Sequence, residues 1–191
     1  KAKKGDESTT TFAVVIYRDQ DAPSGVVTMP VDRFTDNDEL LAKSLNSVKA
    51  ETGAPYFNER IDAGIHAALA QLDWAPRSQD DQYTRWIVVC GDAPPYPKSK
   101  QEFNLDALTK EAKDKGIEIH TILCNSGFLK PGLNQAKLLA TAQTQRTNST
   151  DFLKGLAENP GGNFLDLWDP ETIKALYHQY EQVPRITRRM P

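Results

Sequence analysis

Three observations predict an α/β fold with a mostly parallel central sheet. Short apolar, β-branched runs alternate with stretches of helical periodicity along most of the chain. One run, Trp86 to Cys90 within RWIVVCGDAPPYP, is almost continuously apolar, as expected of a strand buried on both faces in a parallel sheet. The first two runs are joined by too few residues for a crossover, so they form a hairpin and add one antiparallel strand.

The elements follow in order. Residues 1–10 form a polar N-terminal end. Residues 12–17 (FAVVIY) are the first strand, and RDQDAPSG after it is turn chemistry. Residues 25–31 (GVVTMPV) pair back on it, with Pro30 at an edge or at the strand's end. Asp36 with Glu39 resembles a capping box for a helix over 37–49, whose apolar face is Leu40, Leu41, Leu45 and Val48. A loop with Gly53 and Pro55 leads to a helix over 58–72, with Ile61, Ile65, Ala68, Leu69 and Leu72 at helical spacing. Trp74-Ala75-Pro76 ends it, ahead of an exposed loop and the 86–90 strand.

Asn104 caps a helix to about Lys115, and Gly116 stops it. Residues 117–123 (IEIHTIL) are the next strand. Residues 125–148 are the least regular, a loop and then weak helical periodicity, as in a family-specific insertion. Ser149 or Thr150 caps a short helix to about Glu158, a Pro-Gly-Gly turn follows, and 163–167 is a short last strand. Asp169-Pro170 starts a final helix buried through Ile173, Leu176, Tyr177 and Tyr180. The domain spans 11–181, and 182–191 is a basic tail.

The chain's 191 residues suffice for one domain with a full core. A hydrophobic fraction of 39% and a charged fraction of 26% are those of a globular protein. A net charge of −3 and a pI near 5.7 give no basic surface for nucleic acid or an acidic membrane. No apolar run approaches the ~20 residues that cross a bilayer, and no signal peptide is visible. That leaves the compartment open, with a cytoplasmic one favoured. The opening KAKKGDESTTT lacks Met, as in a processed product or a piece of a longer chain. Cys90 and Cys124 end two strand-like runs and read as small buried residues of a reduced protein, although neighbouring strands could bring them together. The Asn148-Ser149-Thr150 sequon reads as a helix cap and not as a mark of secretion.

Motifs for dinucleotides, phosphate cradling, zinc hydrolysis and the nucleophile elbow are all absent. His66, His120 and His178 fall on a helix, mid-strand and on a helix, away from any nucleophile at a strand tip. What remains is oxygen chemistry at strand ends: Asp19 and Asp21, Asn58 and Glu59, and Asp92. Carboxylates at the C-terminal ends of parallel strands lie where open α/β sheets bind ligands, and hard cations such as Mg²⁺ favour such oxygens. Right-handed crossovers would bring Asp92 and the 52–59 loop to one end of the sheet. Asp92 reads equally as a turn cap, and Asn58-Glu59 reads first as helix capping and dipole compensation.

The order of these pieces resembles a von Willebrand factor type A (vWA) domain, of the bacterial or kinase-associated type. FAVVIYRDQ with GVVTMPV resembles its second and third strands, and FTDNDELLAKSLNSV the helix after them. TGAPYFNERIDAGIHAALAQLDW resembles the loop and helix with the second metal-site motif, and RWIVVCGDAPPYP the fourth strand with its terminal Asp. IEIHTILCN and NPGGNFLDLWDPETIKALY resemble the last strands and helix.

The resemblance implies a Rossmann-like three-layer sandwich with helices on both faces. It implies a non-catalytic protein-binding module that holds Mg²⁺ at the strand tips and accepts a carboxylate from a partner protein. Asp92 matches the ligand after the fourth strand; Thr52, Asn58 and Glu59 stand near the expected threonine. The family's DxSxS run is absent, because the central first strand that carries it is missing, so the site is incomplete in this chain. The expectation is that a strand, that run and a helix lie upstream of Lys1. Residues 12–17 and 86–91 would then be separated by a gap about twice the ~4.8 Å strand spacing, whereas direct pairing would contradict this topology. Two other readings stand beside it: a Mg²⁺-dependent Rossmann-like enzyme using Asp92 and Asp19 on a phosphorylated substrate, and a metal-free scaffold.

Overall fold

The computed structural model describes residues 10–19, 22–24, 28–30, 33–49, 51, 58–79, 83–124, 135–167, 169–172 and 174. Its elements are β1 (Val15–Tyr17), β2 (Thr28–Pro30), α1 (Asp38–Ser47), α2 (Ile61–Gln71), β3 (Trp86–Gly91), α3 (Leu105–Asp114), β4 (Glu118–Leu123), α4 (Gln135–Glu158) and β5 (Phe164–Asp166). The fold is mixed α/β. Strands β3, β4 and β5 form a parallel sheet in that order, while β1 and β2 form a separate antiparallel pair. Pro30 ends β2, which suits a residue with no amide to donate.

One face of the parallel sheet holds the core. Ile87 and Val89 of β3 stand in register with Ile119 and Thr121 of β4. Their buried face packs on Ile61, Ile65 and Leu69 of α2, Leu105, Leu108 and Ala112 of α3, and Leu153 and Leu156 of α4. Full burial of each large apolar side chain stabilises the fold by about 1.5–3 kcal/mol. Thr121, buried in mid-strand, satisfies its hydroxyl by donating to the Leu153 carbonyl at 2.8 Å.

The opposite face differs from what the apolar run predicts. Trp86 is 57% exposed and Val88 51%, so β3 alternates between covered and open and is not buried on both faces. Among the described residues β3 pairs with β4 alone, and the Trp86–Val88 side of the strand is left open. Helix α1 shares the feature: none of its residues is buried, and its apolar Leu40 and Leu45 remain exposed.

Local signals hold best at the helix ends. The Asn104 side chain accepts the Ala107 amide at 3.1 Å, and Gly116 closes α3 with φ 69°. In α1 the cap is Asn37, which accepts the Leu40 amide at 2.9 Å, and not Asp36. Helix α4 is one continuous helix from Gln135 to Glu158, so Ser149 is interior and starts nothing. Its hydroxyl sits 2.9 Å from the Gln145 carbonyl one turn back and 3.1 Å from the Asp92 carbonyl. Asp169 caps the turn that opens the last helix, accepting the Glu171 amide. The apolar side predicted for that helix, the basic tail and the 125–134 loop lie outside the described residues.

Candidate functional site

The C-terminal ends of β1 and β3 lie together. The Tyr17 hydroxyl, at the end of β1, donates to the Cys90 carbonyl at 3.0 Å. Burial and the nearby acidic groups push that phenol well above its ordinary range, so it stays a neutral donor. Asp19, two residues on, is buried and accepts the Tyr96 hydroxyl at 2.5 Å. Tyr96 belongs to the loop after β3, so this bond ties the Asp92–Pro97 turn to the end of β1. The same loop is held from the other side: Glu59 donates its amide to the Pro94 carbonyl at 3.0 Å, and the Asn58 side-chain amide donates to the Pro95 carbonyl at 2.8 Å.

These bonds bring Asp19, Glu59 and Asp92 to one end of the molecule. Partial burial, and then the charges of Asp92 and Asp19, push the Glu59 carboxyl up to about 7. Asn58 and Glu59 do not start α2 as expected. The helix begins at Ile61, and they form a short bridge with Pro95. The Asn58 amide is occupied by that loop. Thr52 and Asp21 lie outside the described residues. Among the described residues, no three His, Cys, Asp or Glu side chains are close enough to make a ready metal site. Spacing alone could not have shown that Asp19 joins this group through Tyr96, 77 residues away.

The raised Glu59 has a consequence for stability. In the folded chain it keeps its proton to about pH 7, whereas unfolded it ionises near 4.3. Its contribution is therefore complete below about pH 4 and is lost as pH rises through about 7. Glu59→Gln should match the wild type at pH 4.5 and exceed it at pH 8. Discounting for solvent at this half-exposed group, the gain is about 1 kcal/mol, or about 2–4 °C in Tm. Thermal melts at the two pH values check this; an equal difference at both would exclude it.

Beside the acidic end runs an apolar cleft of about 660 Å³, between β1 and β3. Val15 and Tyr17 line one wall and Trp86, Val88 and Cys90 the other; Ile61, Ile65 and Ala68 of α2 also line it. Strands β1 and β3 share no backbone pair among the described residues, so the direct pairing that would contradict the expected topology is not seen. Cys90, on β3, is exposed and Cys124, just past β4, is half-buried, so neither is the small buried residue expected, and the two are not joined in a disulfide.

No family model matches the chain, and no curated protein does. A solved structure with some likeness is an uncharacterized membrane-spanning protein from Vibrio fischeri, 14% identical, matched over 90% of this chain and 74% of that one. Its TM-score of 0.34 is too low to carry an argument about fold or function. No helix among the described residues of this chain is long and apolar enough to cross a membrane.

Proposed function

We propose that this chain is a vWA-type binding domain: a Rossmann-like three-layer sandwich, with helices on both faces of a mostly parallel sheet that carries one antiparallel strand. It is non-catalytic and presents a Mg²⁺ at its strand tips to a carboxylate of a partner protein. Asp92 is the principal ligand and Glu59 a second, with Asn58 as a further oxygen donor and Thr52, in the preceding loop of the sequence, as another candidate. The observation that carries this reading is the gathering of Asp19, Glu59 and Asp92, where partial burial and then the repulsion of Asp92 and Asp19 raise Glu59 to about 7. A hard cation relieves that repulsion, and carboxylate oxygens are the donors it prefers. Because no ready three-ligand set is present among the described residues, the ion is held partly through water and is weak in this chain. The groups acting on Glu59 are carboxylates, which suits a cation and disfavours a phosphorylated substrate.

Calorimetric titration of Mg²⁺ and Mn²⁺ into the wild type and Asp92→Ala tests the proposal. Binding should be measurable in the wild type, fall at least about tenfold in the variant, and strengthen as pH rises through about 7 while Glu59 loses its proton. Equal binding in both proteins, or no heat in either, would overturn it.

A further inference from the structure

His120 lies in the middle of β4 and takes no part in the candidate cation site. It sits on the side of the strand away from the buried Ile119 and Thr121. Register places it beside Val88 of β3, and Trp86 stands edge-on to its ring at 5.0 Å. Toward β5 it meets the turn that leaves α4. There the Asn163 amide, one residue ahead of β5, donates to the His120 Nδ1 at 3.0 Å. A main-chain amide at the entry of a strand thus depends on a ring nitrogen for its acceptor. The Asn163 carbonyl in turn accepts the Thr121 amide at 2.9 Å, so two bonds clamp this residue onto β4.

An imidazole nitrogen that accepts carries no proton, so the neutral ring holds its single proton on Nε2. Nε2 is buried and makes no aligned hydrogen bond, although the Glu118 Oε2 lies 3.3 Å away. A second proton would go onto Nδ1, pointing at the Asn163 N–H, and two donors cannot share one bond. The same proton makes the ring cationic beside the half-exposed Glu118, which then becomes its ion-pair partner. Other charges near these elements are turned elsewhere. Arg85, next to Trp86, donates to the Ala75 and Pro76 carbonyls, and Lys154 of α4 lies over the Phe164 ring on the core side.

The turn cannot follow the ring. Gly162 is pressed so closely on β4 that an added Cβ would strike the Ile119 carbonyl, and its amide is held by the Ala157 carbonyl of α4 at 2.9 Å.

We infer that His120 is an acid-sensitive latch on β5. The neutral ring holds Asn163, and with it the start of the strand, against β4. The protonated ring releases the Asn163 amide and turns to Glu118. Among the described residues Phe164 to Asp166 pair with β4 alone. Loss of this bond therefore loosens the entry of the strand that leads on to Asp169 and the turn it caps. This inference does not rest on the cation reading.

NMR of isotope-labelled protein from about pH 8 to about pH 5, the range in which histidines act as switches, tests it. At the upper end the His120 ring should carry a proton on Nε2 and none on Nδ1. As the ring takes its second proton, protection of the Asn163 amide, measured against its intrinsic exchange rate, should fall at least about tenfold with the same midpoint. The Cys124 amide, bonded to the Gly91 carbonyl on the β3 side, should keep its protection. His120→Gln offers an acceptor that does not titrate, so Asn163 protection in that variant should be independent of pH. A proton on Nδ1 of the neutral ring, a ring that stays neutral down to about pH 5, or Asn163 protection unchanged through the titration would each overturn the inference. So would the same pH-dependent loss in His120→Gln.

Discussion

Asp62→Ala will cost the fold about 3–5 kcal/mol, because it strands a buried charge. Asp62 is completely buried and Arg60 is 1% exposed. The carboxylate takes two bonds from the guanidinium, at 3.1 and 3.3 Å, and accepts the Glu102 and Phe103 amides at 3.0 and 3.1 Å. It thus joins the start of α2 to the segment that leads into α3. Glu102, largely exposed, shares the same guanidinium nitrogen, Nη2, at 2.9 Å and cannot replace it. Truncation leaves Arg60 half-compensated and two amides without an acceptor. Replacing both partners, as in Arg60→Met with Asp62→Leu, should recover part of the loss, since no lone charge is left. Urea denaturation of the three proteins checks this. A loss below about 1 kcal/mol for the single variant would mean that the pair is solvated and not structural.

Gly162→Ala will cost about 3 kcal/mol through a backbone clash. A Cβ there would lie 2.0 Å from the Ile119 carbonyl oxygen and 2.5 Å from its carbon, and β4 is the central strand of the parallel sheet. No rotamer relieves a Cβ, and a central strand paired on both sides cannot easily retreat. Gly155, inside α4, has nothing within 4 Å of the same position. Gly155→Ala should therefore stabilise by up to about 1 kcal/mol, as the helix interior prefers alanine. Opposite signs for the two substitutions, read from thermal melts, are the outcome to look for.

The sequence was most legible where structure is local. The Asn104 cap, the Gly116 stop and the first hairpin follow from residues a few positions apart. Legibility fails where partners are distant. The WIVVC run predicts burial on both faces, yet Trp86 and Val88 are open, because an apolar run does not say which elements pack on each of its faces. Ser149 read as a helix start because a hydroxyl is equally at home bonding one turn back within a helix. At the candidate site, Asp92 and Glu59 were legible as acidic residues near strand and helix ends. The Tyr96 bond to Asp19 and the Pro94 and Pro95 contacts were not, since they join segments 35 or more residues apart.

The acidic end of the cleft is where the functional account succeeds or fails. Millimolar Mn²⁺ added to isotope-labelled protein broadens the amide signals of residues near any bound ion, including a weakly held one. The account predicts broadening centred on Glu59 and on Gly91 to Ala93, fading along β3 toward Trp86 and abolished by Asp92→Ala. Broadening spread evenly over surface carboxylates such as Asp106 and Asp114, with Asp92 no more affected than these, would contradict it.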